Sequence, residues 1–504
     1  LRDAGIDEGY ALSPMLRALE NGSLKLDNRT VLVIDEVSQM APRQLLSLLE
    51  WQQKTGFTLR LLGDRGQAQA IEAGDAVELL LRVMPPDARP ELLSTVRQGT
   101  ARGRRIAGMF RSAGRDLDKN ESEQREADKA RARQALEMKR KEGSISFVGG
   151  DHDQVVAEIA DLYLRRRDAV LQYGGRRGVT MSAPTNQDVM DLGMAVRERL
   201  RARGEIGTEE IVKAAIDQRG ELYDLPLAVG DRVRLFAKTG VQAETPYGKR
   251  WRDLGDNGDF VTVRGWSEKG LLLENDKGRV GLAPWDRLTH RESGRILLGF
   301  GHAMTIDAAQ GVTSDEHINA MPRGSSGVTG FTSYVAESRH VYRCWTRVGE
   351  AAVREAEQWS RPLGDKSPIT LNDLYGRLAA DMGRHPYKAL AIDLMKVDVD
   401  TERLRTRWLQ QNHHNERSRQ AGLEPGSRLR RQFDERPLRS VSRDVWDDLS
   451  RALRKAAYAA QNESDKRRAH TSERRIIVRN PGPSDLEPDN GSERGNGVSS
   501  DRGR

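Results

Sequence analysis

Across 504 residues there is one cysteine, Cys344, which excludes an intramolecular disulfide framework and suits a reducing compartment. The net charge is +7 with a pI near 9.4, and no apolar run is long enough to span a bilayer. That balance suits a cytoplasmic protein of several domains that can meet a phosphate backbone. Only 37% of residues are apolar, so sizeable polar segments are expected.

In chain order, the first strong element is Val31–Ile34, four aliphatic residues that read as a short buried parallel strand. It leads straight into Asp35 and Glu36, two carboxylates at the C-terminal end of a strand, where open α/β sheets hold their ligands. Such a pair suits nucleotide hydrolysis, one acid holding Mg²⁺ and the other polarising water. The plain alternative is a strand that ends in a turn. After an amphipathic stretch from Gln44 to Trp51, a second strand-like run over 59–62 ends in Gly63-Asp64-Arg65-Gly66-Gln67, for which the alternative is a surface turn. Residues 103–142 are dense in charge with few apolar anchors and read as one long solvated helix, or as an insert touching DNA. A strand at 144–148 and an amphipathic helix over 153–166 follow, the latter with Val155, Val156, Ile159, Leu162 and Leu164 near one face.

Between about 225 and 298 the texture changes to short strands separated by Asn-Gly and Gly-rich turns, the pattern of a small β-barrel. Its Trp251, Trp266 and Trp285 either stack on bases or fill the barrel core, the second being the commoner use. Residues 371–393 read as helical, with Leu374, Leu378 and Met382 as apolar positions. The stretch 403–479 is basic and polar, either a nucleic-acid or partner-docking arm or a solvated helical tail, and from 480 the composition predicts disorder.

The ordered segments resemble the motifs of superfamily 1 helicases, in the RecD-like branch. Asp35-Glu36 is similar to motif II, Gly63 to Gln67 to motif III, and Thr95-Val96-Arg97-Gln98 to motif IV. Met181-Ser182-Ala183-Pro184-Thr185-Asn186 resembles the opening of a second RecA-like domain. The segment from Gly301 through Thr305 and Gln310 to Thr313 resembles motif V, and Tyr334 to His340, with Arg339, resembles motif VI. The forms of motifs V and VI look like those of conjugative relaxase–helicases. Single segments have duller readings: Thr185 and Asn186 as a helix cap, Arg97 and Arg339 as solvated charges, Gln310-Gly311 as a helix end.

The resemblance implies an α/β fold of two RecA-like P-loop NTPase domains with an SH3-like barrel insert and a helical, then disordered, tail. The first motor domain is expected over 1–175, the second over 176–224 and 299–356, the barrel over 225–298, a basic helical extension over 357–479 and the disordered tail over 480–504. It further implies ATP and Mg²⁺ as cofactors, with Asp35 holding the metal through water and Glu36 activating the hydrolytic water. Gln67 would sense the γ-phosphate, Arg97 and Arg339 would stabilise transition-state charge, and Gln310 would lie at the nucleotide. Thr185, Asn186, Thr305 and Trp266 would meet single-stranded DNA, moved 5′ to 3′. Other components of a conjugation or type IV secretion complex are implied partners.

No Gly-x-x-x-x-Gly-Lys-[Ser/Thr] phosphate loop occurs in the sequence. The expectation is therefore a helicase region cut off at its N-terminal side, whose relaxase would lie upstream. Two further readings stay open: a catalytically inactive remnant that binds DNA or a partner, and a RecD-like repair helicase.

Overall fold

The computed structural model describes residues 9–67, 74–84, 88–91, 95, 97–112, 114, 119–217, 220–245, 248–388 and 390. The expectations for 391–504, including the basic arm and the tail, lie outside the described residues. The α/β fold anticipated above is the one observed, with parallel sheets and a β-rich insert.

The chain opens with α1 (Leu12–Glu20), β1 (Val31–Ile34), α2 (Pro42–Thr55), β2 (Thr58–Leu61) and α3 (Ala76–Val83). Strands β1 and β2 pair in parallel, Val31 opposite Thr58 through Ile34 opposite Leu61, and α2 is the crossover between them. Helix α2 starts at Pro42, where a missing N–H costs nothing, and ends at Gly56 in the left-handed region. Its Leu45, Leu48 and Leu49 share one face by their i, i+3, i+4 spacing and are fully buried. Burying each stabilises the fold by roughly 1.5–3 kcal/mol. One expectation needs correcting: β1 is not covered on both faces. Val31 and Val33 are 59% and 47% exposed, because the helices described here pack on the side of Ile34.

Residues 103–142 are two helices rather than one solvated rod: α4 (Ala101–Phe110) and α5 (Glu121–Lys141). Helix α5 buries Ala132, Ala135, Leu136 and Lys139, and packs on the later helix α11 (Leu371–Met382) in a core shared with Ile106 and Phe110. Its buried stripe holds one large apolar residue, Leu136, beside two alanines and the charged Asp128 and Lys139, too few apolar anchors to stand out in the sequence.

The second sheet is built from β3 (Ile145–Val148), α6 (His152–Gln172), β4 (Val179–Ala183) and α7 (Asn186–Ala202). After the insert it is completed by β14 (Met304–Thr305), β15 (Ser314–Met321), α9 (Gly330–Glu337) and β16 (His340–Gly349). Its five parallel strands run β14-β4-β15-β16-β3. Strand β3 pairs with β16, Ile145 opposite Thr346, and α6 packs in the same core as β4 and α7. The segment from Ile145 to Gln172, assigned above to the first unit, is thus hydrogen-bonded and packed into the second. Helices α10 (Glu350–Ser360) and α11 (Leu371–Met382) close the described chain, with Leu374, Leu378 and Met382 buried as expected.

The insert contains the hairpin β5 (Glu210–Ile216) and β6 (Leu222–Ala228), then β7 (Arg232–Leu235), β8 (Thr239–Thr245), β9 (Gly248–Gly255), β10 (Phe260–Ser267), β11 (Gly270–Asn275), β12 (Val280–Pro284), the short α8 (Trp285–Leu288) and β13 (Leu298–Phe300). Seven strands order as β13-β7-β10-β11-β12-β8-β9 around Val233, Val261, Val263, Leu271 and Leu273. The β-texture begins at β5, earlier than residue 225, because the β5–β6 hairpin packs on the same core.

The second sheet and its surroundings bury three histidines in neutral form. His317 sits between the hydroxyls of Thr180 and Ser182, each 2.8 Å from a ring nitrogen. Burial holds His317 and His302 down to about 3 and His340 down to about 4. An unfolded histidine binds its proton near pH 6.5, so between that pH and the folded values the unfolded chain binds more protons. Stability should therefore fall as pH drops from 6.5 to 5, by up to about 1.4 kcal/mol per pH unit for each histidine. Urea midpoints at pH 7, 6 and 5 test this. A flat profile over that window, where carboxylates scarcely titrate, would contradict the neutral buried state.

Candidate active site at the ends of the parallel strands

Asp35 and Glu36 follow β1 directly. Glu36 has φ 53° and ψ 43°, and among the described residues it alone takes a positive φ without being glycine. Holding a glutamate in the left-handed region costs of order 1 kcal/mol, a strain typical of functional turns. The surroundings fix it. Val37 N–H donates to Leu62 O at 2.9 Å, tying the turn after β1 to the end of β2. At Gly63 a Cβ would lie 2.7 Å from Val37 Cγ1, so only glycine lets the two strand ends approach this closely. Asp35 is exposed and accepts from Glu36 N–H at 2.9 Å, while the Glu36 carboxylate accepts from Gln310 Nε2 at 2.9 Å.

Asp64, after β2, accepts from Gly66 N–H and from Arg111 Nε and Nη2 at 3.2 and 3.1 Å. Burial opposes its charge, but Arg111 and Gly66 N–H hold it below the usual carboxylate range. Gln67 Nε2 lies 3.3 Å from Asp64, and its buried Oε1 takes no hydrogen bond from the described residues.

Besides Gln310, the second unit offers backbone oxygens to the first. Arg97 Nη1 donates to Ser338 O at 3.1 Å, and Gln98 Nε2 donates to the same oxygen at 2.8 Å. Arg339 is buried, with Nε donating to Val335 O at 2.7 Å, Nη1 to Ala309 O at 3.4 Å and Nη2 to Ser338 Oγ at 2.7 Å. Burial and the nearby Arg97 push its pKa down to about 10, with Glu36 and Asp64 pulling the other way, so it stays charged at neutral pH. A cleft of about 830 Å³ opens beside it, lined among others by Asp64, Gln67, Arg97, Tyr334 and Ser338. The sequence-predicted residues thus divide. Gln67 and Arg97 line this cleft, Glu36 and Gln310 touch each other, and Arg339 lies under the wall formed by Ser338.

The DNA-facing candidates are spread more widely. Thr185 caps α7, its Oγ1 accepting from Asp188 N–H at 3.0 Å, and Asn186 Nδ2 donates to Asp217 at 2.5 Å. Thr305 ends β14 opposite Ala183 and accepts from Ala308 N–H at 3.4 Å. Trp266 is half-buried against the barrel core, and Trp285 packs there too while donating to Ser267 O. Trp251 is different: it is 52% exposed, on the edge strand β9, with the Arg287 guanidinium 5.5 Å from its ring.

Two groups escaped the sequence reading. Arg111 sits in a charged stretch that gave no sign of its pairing with Asp64. Lys139 and Glu337 form a fully buried ion pair at 2.6 Å, one residue before Ser338-Arg339. Lys139 also donates to Cys344 O, and Glu337 accepts from Asn319 Nδ2 at 3.0 Å and Thr346 Oγ1 at 2.7 Å. Burial works against both charges, yet their mutual attraction and these hydrogen bonds raise the lysine and lower the glutamate.

Residues 2–149 match a family model described as an AAA domain. The conjugal transfer protein TraA of Agrobacterium fabrum is 26% identical over 349 residues, 67% of this chain and 26% of that protein. A probable conjugal transfer protein TraA of Sinorhizobium fredii is 25% identical over 354 residues, with the same coverages. The chain spans about a quarter of the length of these relatives. Among solved structures it is similar to Bacteroides Pif1 helicase in complex with ADP-AlF3 and ssDNA (16% identity, 71% of this chain and 80% of that chain, TM-score 0.37). It is also similar to Pif1 helicase from Candida albicans (14% identity, 71% and 82%, TM-score 0.37). Over two thirds of its length the chain is thus similar to conjugal transfer TraA proteins, and its residues 2–149 match the AAA-domain model.

Proposed function

We propose that this chain is the motor region of a conjugal DNA-transfer protein, coupling ATP hydrolysis to movement along single-stranded DNA in the parent protein. The observation that carries the reading is the meeting of the two units at one place. Gln310 of the second unit bonds Glu36 of the first, and Arg97 bonds the backbone next to Arg339. Hydrolysis-driven movement needs such contacts between two bodies, so that a change at the phosphates alters their spacing.

Asp35 fits a hydrated Mg²⁺: it is exposed, and one of its oxygens takes no hydrogen bond from the described residues. The ion, when bound, would neutralise charge on the phosphate oxygens. Glu36 would orient and deprotonate water, its strained backbone aiming the carboxylate. Gln67 would report the terminal phosphate, its Oε1 taking no hydrogen bond from the described residues. Arg97 and Arg339 would offset negative charge developing on the phosphate. Thr185, Asn186 and Thr305 would present the ends of β4 and β14 to the DNA backbone.

The absence of a phosphate-loop pattern from these residues favours, for the polypeptide itself, a second reading in which DNA binding outlasts hydrolysis. In either case single-stranded DNA should bind residues 1–504 with little sequence preference, more weakly as salt rises. Removing residues 403–504 should flatten that salt dependence if the basic stretch grips phosphates. Trp251→Ala should weaken binding by about 1–3 kcal/mol through lost stacking, whereas Trp266→Ala should act chiefly on barrel stability. Fluorescence anisotropy over a salt titration checks each point, and no binding at low salt would sink the DNA reading.

A further inference from the structure

The cleft carries an unusual excess of guanidinium groups. Among the described residues, Arg97, Arg104, Arg105, Arg111 and Arg177 line it, against a single carboxylate, Asp64. Asp64 is already matched by Arg111. Among the described residues, Arg97 and Arg104 bond only backbone oxygens, of Ser338 and Gln98. The guanidinium groups of Arg105 and Arg177 have no hydrogen bond or ion pair with the described residues. Elsewhere in the second unit arginines of comparable placement are matched with acids: Arg166 with Glu316, Arg197 with Asp231 and Arg323 with Asp188. The backbone of Arg177 is held firmly, since its N–H and that of Gly178 both donate to Asp315 Oδ2. Arg105 stands on helix α4, and the charge of Arg177 is near enough to oppose that of Arg97.

Like charges gathered in a walled cleft repel, and an anion that several forks can hold relieves this. Guanidinium planes match phosphate oxygens in pairs, and the space exceeds what one phosphate fills. We propose that Arg105 and Arg177 are additional phosphate-gripping residues, so that this cleft takes a linear oligophosphate chain through arginine side chains. Neither residue lies in the motifs that suggested the nucleotide site, and the proposal rests on reading the cleft as the phosphate end of that site.

The test is isothermal titration of residues 1–504 with inorganic tripolyphosphate at low salt. The unaltered chain, Arg105→Ala/Arg177→Ala, Arg105→Lys/Arg177→Lys and Arg97→Ala are compared, with thermal melts checking the fold. The alanine pair should weaken binding at least about tenfold and the lysine pair less, because ammonium keeps the charge without the fork. Equal binding by the alanine pair, with loss in Arg97→Ala, overturns the proposal and leaves the nucleotide reading of the cleft standing. No binding by the unaltered chain overturns the proposal, and the motor reading is then decided by the DNA titration alone. Displacement of tripolyphosphate by an equimolar oligothymidylate would overturn it in favour of a groove for strand phosphates.

Discussion

Replacing Lys139 by methionine should cost the folded chain about 3–5 kcal/mol, the loss expected when one member of a buried ion pair is removed and the other is left charged. Both side chains are essentially without solvent, 1% and 0% exposed. Glu337 would keep its bonds from Asn319 and Thr346 but lose the one cation that touches it among the described residues. It must then take up a proton or unfold its surroundings. The double change Lys139→Met with Glu337→Gln should recover most of the loss, because the amide oxygen still accepts from Asn319 and Thr346 while no charge is stranded. Urea denaturation of the three proteins measures this directly, and a single-variant cost under about 1 kcal/mol would refute the buried-pair account. The effect should reach the site as well. Glu337 immediately precedes Ser338, whose carbonyl receives both Arg97 and Gln98.

Parts of this design were open to sequence reasoning because they are local. A strand's C-terminal end is marked by the residues that follow it, so Asp35-Glu36 and Gly63-Asp64 announce themselves once Val31–Ile34 and the run before Gly63 are recognised. Thr185 as a cap was legible for the same reason, needing only the residue three positions on. What stayed hidden depends on partners far along the chain. Lys139 looks like any charge of a solvated helix until Glu337, nearly two hundred residues later, is brought against it. Strand β3 carries nothing that says it will pair with β16 rather than extend the first unit, because parallel pairing leaves no turn signal. The exposure of Val31 and Val33 is likewise a matter of what lies beside the strand, which four aliphatic residues do not disclose.

A polypeptide of residues 1–504 should hydrolyse ATP no faster than background, even with saturating single-stranded DNA. The groups proposed for the reaction act on phosphates that are already held. Holding and aligning them supplies several kcal/mol of the barrier lowering in such enzymes, worth a thousandfold or more in rate. The usual holder is a glycine-rich loop whose N–H groups, lysine and hydroxyl surround the phosphate chain. The sequence nearest to it, Gly248-Lys249-Arg250, cannot serve. It opens strand β9, pairs with β8 in the barrel, with Gly248 opposite Thr245, and has neither the earlier glycine nor the hydroxyl. The arginines of the cleft would retain affinity for phosphates without fixing the terminal one in line with water, so binding and hydrolysis should separate. Fusing a segment that carries the loop ahead of β1 should restore DNA-stimulated turnover, and Glu36→Gln in that fusion should then remove about 10²–10⁴-fold of it. The measurement is phosphate release by the polypeptide, the fusion and its Glu36 variant. Robust DNA-stimulated release from residues 1–504 alone, lost in Glu36→Gln, would mean that another segment holds the phosphates and that the loop is not what limits this chain.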